Sequence, residues 1–211
     1  MATREHYANA RKPEGGYGRD LLGAMNAGTH ARLAAWALPQ IAIAADAHVL
    51  DIGCGGGANL ARLAALAPQG HVTGIDHSPV SVETSRATNA EAIAVGTCDV
   101  QEGDVAALPF DDASFDVITA FETVYFWPDL AASFAEVRRV LAADGTFAIV
   151  NEAAGFATAD ERWGDVEAAS DLLTVYSADE LCAILAQVGF GNVQPTVDPD
   201  TNWLLILARR A

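Results

Sequence analysis

The stretch VLDIGCGGGANL, residues 49–60, ends an apolar run with four glycines in five positions, Gly53, Gly55, Gly56 and Gly57. An apolar run this short suits a buried strand, and glycines directly behind it permit positive φ and a close backbone approach that a Cβ would bar. A strand that turns through glycines into a helix is the opening of a sheet whose ligands sit at the carboxyl ends of its strands. The rest of the chain keeps that rhythm. HVLDI (48–52), HVTGID (71–76), FDVITA (115–120) and TFAIVN (146–151) read as strands separated by stretches of helical spacing. Crossover helices on both faces then give an open, doubly wound, mostly parallel sheet.

Local signals sharpen the frame. Leu130, Phe134, Val137 and Leu141 form a helical stripe after an N-cap at Asp129, with Gly145 where the helix should stop. In SADE, Ser177 and Glu180 make a capping box, and Leu181, Leu185 and Val188 line one face before Gly189. GNVQPTV and WLLILAR follow as an antiparallel C-terminal hairpin, the second strand inside the sheet. Leu22, Met25, Leu33 and Trp36 predict two short helices ahead of the sheet, broken at Gly28-Thr29. Residues 153–176 read as an insertion with weak periodicity. With 211 residues, 51% of them hydrophobic, the expectation is one domain, 1–211. It divides into a helical cap or lid (1–45) and a core (46–211).

Charge narrows the partners. Twelve Lys and Arg against 28 Asp and Glu give a net charge of −16, which repels nucleic-acid phosphates. Residues 1–45 run against this trend, with five basic side chains to three acidic ones and a net +2. Cys54, Cys98 and Cys182 lack metal-ligand spacing, and no metal site is expected. The N-terminus lacks a signal-like apolar core. The longest weakly polar run, LAAWALPQIAIAA, is thirteen residues interrupted by Pro39 and Gln40. A cytoplasmic chain with no membrane or nucleic-acid partner is expected.

Three ligands compete for the glycine turn. Gly53, Gly55 and Ala58 satisfy the loose dinucleotide pattern, with Asp76 about twenty residues on for a ribose. A phosphate loop is excluded, since no Gly-Lys-Ser/Thr follows. Asp51, just before the glycines, would repel a pyrophosphate and attract an ammonium.

The sequence here resembles the class I S-adenosylmethionine-dependent methyltransferases over roughly residues 45–210. VLDIGCGGG looks like the first motif, GIDHSP like the acidic motif of the second strand, and GDVAALPFDDASFDVI like the adenine-side loop running into the fourth strand. EVRRVLAADGTF and ADELCAILAQVGF resemble the later helix and strand signatures. The resemblance implies a Rossmann-like seven-stranded sheet and S-adenosylmethionine as cofactor, with S-adenosylhomocysteine as product. It gives Asp51 the cofactor's ammonium and brings Gly53, Cys54 and Gly55 against the methionine part. Asp76 takes both ribose hydroxyls. His77 packs on the adenine and Ser78 adjoins it, though Ser78-Pro79 also reads as a helix N-cap and N1. Gly103, Asp104, Val105 and Ala106 hold the adenine edge, and Phe121 lines the methionine side.

The implied chemistry is in-line methyl transfer, for which positioning supplies much of the catalysis. No Asn/Asp-Pro-Pro-aromatic motif follows the fourth strand, which points to a small-molecule acceptor. Tyr125, Phe126 and Trp127 are its candidate pocket, or else pack the next helix on the sheet; Trp163 and Tyr176 are weaker candidates. Glu122 is favoured over His30 as the group that takes a proton from the acceptor. The stretch ARKPEGGYGRD predicts a lid, hinged at Gly15, Gly16 and Gly18, that brings Tyr17 to the cofactor or acceptor. Two other classes are kept: a nicotinamide oxidoreductase using the same first turn, and a noncatalytic cofactor-binding partner protein.

Overall fold

β1 (His48–Ile52) is buried from Val49 onward, because a parallel strand in the middle of a covered sheet meets side chains on both faces. Leu50 and Ile52 point into one core and Val49 into the other. The computed structural model describes residues 3–155 and 169–210. Ahead of β1 come α1 (Arg4–Arg11), α2 (Gly15–Asn26) and α3 (Gly28–Ala37). After it come α4 (Ala58–Leu66), β2 (His71–Asp76), α5 (Pro79–Thr88), α6 (Ala90–Ala94), β3 (Cys98–Glu102) and β4 (Phe115–Phe121). The chain continues through α7 (Leu130–Val140), β5 (Leu141–Asn151), α8 (Ala178–Val188), β6 (Phe190–Val197) and β7 (Leu204–Arg210).

The seven strands lie in the order β3-β2-β1-β4-β5-β7-β6. β1 through β5 pair in parallel, and β7 runs antiparallel to both β5 and β6. This is the expected mostly parallel sheet with its antiparallel hairpin. From β1 the chain winds outward to β2 and β3 on one side and to β4 and β5 on the other, so the crevice at the carboxyl ends of β1 and β4 is the ligand position of such a sheet. One core holds Phe134 and Val137 of α7 and Leu181 and Leu185 of α8 against Ile118 and Phe147. The other holds Leu33 and Ala34 of α3, Leu60 and Leu63 of α4 and Val82 of α5 against Val72 and Val150.

Three elements differ from the sequence expectation, the first being α1, a third helix ahead of the sheet where two were expected. β3 was not among the apolar runs, because it is an edge strand with only Cys98 and Val100 buried, while Asp99 and Glu102 are exposed. α7 ends at Val140, not near Gly145: Leu141 turns to extended backbone, pairs with Phe115 and starts β5. Leu141 is fully buried from the strand side, so the helical stripe counted a strand residue as its next member. The capping box of α8 is present, and Gly189 closes that helix at φ +96°.

The N-terminal helices break at Gly28, with φ +65°. Leu22 and Leu33 are buried, and the Asn26 side chain donates to the Gly56 carbonyl at 3.0 Å. Residues 11–19 are fastened to α5: the Ser78 hydroxyl donates to the Pro13 carbonyl at 2.7 Å, and Arg19 pairs with Glu83 at 3.0 Å. A Cβ on Gly18 would lie 2.9 Å from the Pro13 carbonyl carbon, so Gly18 serves packing where a hinge was expected. Trp163, a candidate pocket residue, lies outside the described residues. No helix among the described residues is long and apolar enough to cross a membrane.

Candidate functional site

A cavity of about 870 Å³ opens at the carboxyl ends of β1, β2, β4 and β5, roofed by α1, α2 and α3. The glycine turn forms its floor. Gly53 sits at φ +74°, and a Cβ there would lie 2.3 Å from the Thr123 hydroxyl oxygen. Gly57 sits at φ +81° with Ser85 against it. The turn is also tied to β2: the N–H groups of Gly53 and Cys54 donate to the Ile75 carbonyl at 2.8 and 3.1 Å, and the N–H of Gly55 donates to Asp76 Oδ2 at 2.9 Å. These donors are spent within the protein, whereas a pyrophosphate would need them.

We expect Gly53→Ala to melt earlier by about 2–8 °C, from the ~1–2 kcal/mol that left-handed backbone costs a non-glycine residue. The Thr123 clash adds to this. Gly23→Ala, in open space inside α2, should move the other way by about 0.5–1 kcal/mol. Calorimetric melting compares the two.

Two acids flank the turn. Asp51 is buried, its Oδ1 accepting from the Thr119 hydroxyl at 2.6 Å. Burial pushes its carboxyl up to about 7; the Thr119 hydrogen bond opposes this and nearby Asp76 adds to it. Asp76 accepts from the N–H of Ser78 through Oδ1 and of Gly55 through Oδ2, both at 2.9 Å. Burial raises its pKa, and those two backbone donors pull it back. Burial also pushes the Cys54 thiol well up, so it stays protonated. Across the crevice, Asp104 caps its own loop by accepting from the Ala106 N–H at 2.9 Å.

The fourth wall was only partly anticipated. Glu122 directly follows β4, with its backbone at φ +58°, a conformation that concentrates at functional sites when held by its surroundings. Its N–H donates to the Val150 carbonyl at 2.9 Å. Its Oε1 accepts from the Tyr125 hydroxyl at 3.2 Å and from the Glu152 N–H. Its Oε2 lies 4.0 Å from His30 Nε2. Burial and the Glu152 charge hold the Glu122 carboxyl well above the usual range. Burial lowers His30 to about 4. Among the described residues, ligand atoms of His30, Glu122 and Glu152 all fall within 4.8 Å of one another.

The crevice thus brings together Asp51, Gly53, Cys54, Gly55, Asp76, His77, Gly103, Asp104, Val105 and Phe121 with His30, Glu122, Tyr125, Phe126 and Trp127. Three expected residues do not line it. Tyr17 points outward from α2, 49% exposed. Ser78 is buried as the N-cap of α5, and Ala106 contributes a backbone N–H to the Asp104 turn. Trp127 lines the cavity but mostly packs, stacked on Phe147 and edge-on to Phe134. Tyr176 lies at a smaller adjoining cavity.

Among the lining residues that sequence reasoning missed, Tyr7 and Glu152 matter most to the acceptor wall. Tyr7 of α1 is buried with Tyr125, Leu173 and Val175, and Arg4 fastens the same helix by two hydrogen bonds to the Asp171 carboxylate. The aromatic so close to the N-terminus was the available signal. Glu152 directly follows the run TFAIVN, and a carboxylate at the carboxyl end of a sheet strand is where a ligand contact belongs.

Residues 50–149 match the family model of the methyltransferase domain. The chain is 31% identical to the O-methyltransferase cnsE of Penicillium expansum, over 71% of this chain and 54% of that protein. It is 33% identical to the 27-O-demethylrifamycin SV methyltransferase of Amycolatopsis mediterranei, over 71% and 56%. The chain therefore spans about half the length of these relatives. A solved SAM dependent methyltransferase from Aquifex aeolicus shares the fold, with a TM-score of 0.77 at 19% identity over 92% of this chain and 98% of that one.

Proposed function

We propose that the chain is a class I S-adenosylmethionine-dependent methyltransferase and that it transfers a methyl group to an oxygen of a small-molecule acceptor by in-line displacement. The observation that carries this reading is the disposal of the glycine turn's donors. Gly53, Cys54 and Gly55 give their N–H groups to Ile75 and Asp76, and two carboxylates flank them. That floor suits an ammonium and a ribose and opposes a pyrophosphate, which disfavours a nicotinamide cofactor. Relatives named for O-methyl transfer support an oxygen acceptor, and the enclosed crevice supports a small one.

When bound, S-adenosylmethionine supplies a methyl group activated by its sulfonium. Asp51 holds the ammonium, Asp76 the ribose hydroxyls, and the loop of Gly103, Asp104 and Val105 the adenine edge. Phe121 faces the methionine chain. Tyr7 and the rest of α1 cover the crevice and exclude water. Glu122, His30, Tyr125 and Phe126 face the acceptor. Holding the acceptor atom in line with the methyl group is worth an effective molarity of roughly 10⁵–10⁸ M.

Calorimetric titration with S-adenosylhomocysteine and with NADH, between pH 5.5 and 9, tests the reading. The ammonium binds the ionised form of Asp51, whose carboxyl in the ligand-free protein sits at about 7. Affinity should therefore be lost as pH falls through 7, approaching tenfold per unit. It should fall again only in the alkaline range, where the ligand's ammonium, kept protonated beyond a peptide N-terminus by its own carboxylate, finally deprotonates. Binding at pH 7 should release about half a proton, seen as a dependence of the heat on buffer. Tighter binding of NADH than of S-adenosylhomocysteine would overturn the assignment.

A further inference from the structure

We propose that His30, Glu122 and Glu152 form a site for one divalent cation of the manganese, iron or zinc class on the acceptor wall of the crevice. One imidazole nitrogen and one oxygen from each carboxylate already lie within 4.8 Å of one another. The three side chains come from separate elements, α3, the residue after β4 and the residue after β5, so the fold converges them; they are not a run of surface acids. Around an ion with ligand distances of about 2.0–2.2 Å, neighbouring ligand atoms sit roughly 3–3.5 Å apart, and each side chain has to close by only about 1 Å.

Charge and orientation agree. Two carboxyl groups share this wall, and Glu122 Oε2 faces the imidazole of His30 at 4.0 Å, whose burial keeps it neutral. A divalent cation accepts a neutral imidazole and carboxylates together, and its charge would favour the ionised form of both carboxyl groups. Glu122 Oε1 is fixed by the Tyr125 hydroxyl and the Glu152 N–H, which leaves Oε2 facing His30. Partners of this kind orient a ligating carboxylate. Three protein ligands leave coordination positions open to the crevice, as catalytic sites do and structural ones do not. An acceptor bearing an oxygen ligand is the class those positions would take. That last step rests on the methyltransferase reading; binding of the ion does not.

Titration of the full chain with Mn²⁺, followed by electron paramagnetic resonance, tests the site, with S-adenosylhomocysteine affinity measured alongside. The wild-type protein should take up one Mn²⁺, displaceable by Zn²⁺. His30→Ala and Glu152→Gln should each weaken uptake by at least the ~10–100-fold typical of losing an outer-shell partner. Retained S-adenosylhomocysteine binding in both variants reports an intact fold. Absence of a saturable site in the wild type would overturn the proposal. So would equal uptake by wild type and both variants, the pattern that diffuse binding to a chain of net charge −16 produces. Failure of the wild type to bind S-adenosylhomocysteine would instead overturn the methyltransferase reading, and the Mn²⁺ titration would still decide the ion site.

Discussion

Asp76→Ala should lower the affinity for S-adenosylhomocysteine by about 10²–10⁴-fold, because two hydrogen bonds to a charged acceptor are worth about 1.5–3 kcal/mol each. The same carboxylate accepts from the N–H groups of Gly55 and Ser78. Truncation therefore also strands two backbone donors, at about 1–3 kcal/mol each, and the variant should melt earlier by roughly 5–20 °C. Affinity loss alone would thus not separate a ribose contact from a disordered turn. A ligand lacking the ribose hydroxyls does separate them. The wild type should discriminate S-adenosylhomocysteine from its 2′,3′-dideoxy analogue, and the variant should discriminate far less, a coupling that only direct contact produces. If the folded variant keeps the full discrimination, Asp76 braces the turn and another group reads the ribose.

This double engagement of Asp76 shows how far sequence reasoning reaches. The order of strand, glycine turn, helix and acidic strand end was legible because each signal is local: an apolar run, a residue type that permits positive φ, a carboxylate at a strand terminus. The same locality located β1 and β2 at their observed bounds and the capping box of α8. It failed where two elements share one residue. Leu141 fits both the helical stripe of α7 and the first pairing of β5, and periodicity cannot choose between them. It failed again for the roof of the crevice. Which aromatic of the N-terminal segment faces inward depends on how α1 docks, through Arg4 to Asp171 and Tyr7 to Leu173, contacts about 165 residues apart in sequence that no local pattern encodes. Tyr17 was therefore expected where Tyr7 stands. Glu122 and His30 were each visible singly as ionisable residues near the expected acceptor space. Their approach to 4.0 Å, with Glu152 beside them, is a product of the β4-β5 pairing and of where α3 docks on the sheet.

Glu122→Gln is the substitution that tests this wall with the least disturbance. A carboxamide keeps the size of the side chain and an oxygen to accept from Tyr125 and from the Glu152 N–H, so the left-handed backbone at Glu122 stays supported. It has no ionisable group to take a proton and is a poor ligand for a divalent ion. With an acceptor found by screening with isotopically labelled methyl donor, kcat should drop by about 10²–10⁴-fold, the range for losing a positioned proton-transfer group. Affinity for S-adenosylhomocysteine should stay within about threefold of wild type, since the proposed site meets the ligand's ammonium with Asp51 and its ribose hydroxyls with Asp76, about 1.4 kcal/mol being needed for a tenfold change. Loss of cofactor affinity instead would place Glu122 in the methionine-binding wall. An unchanged kcat would leave in-line positioning as the whole of the catalysis, with Glu122 confined to bracing Tyr125 and the turn after β5.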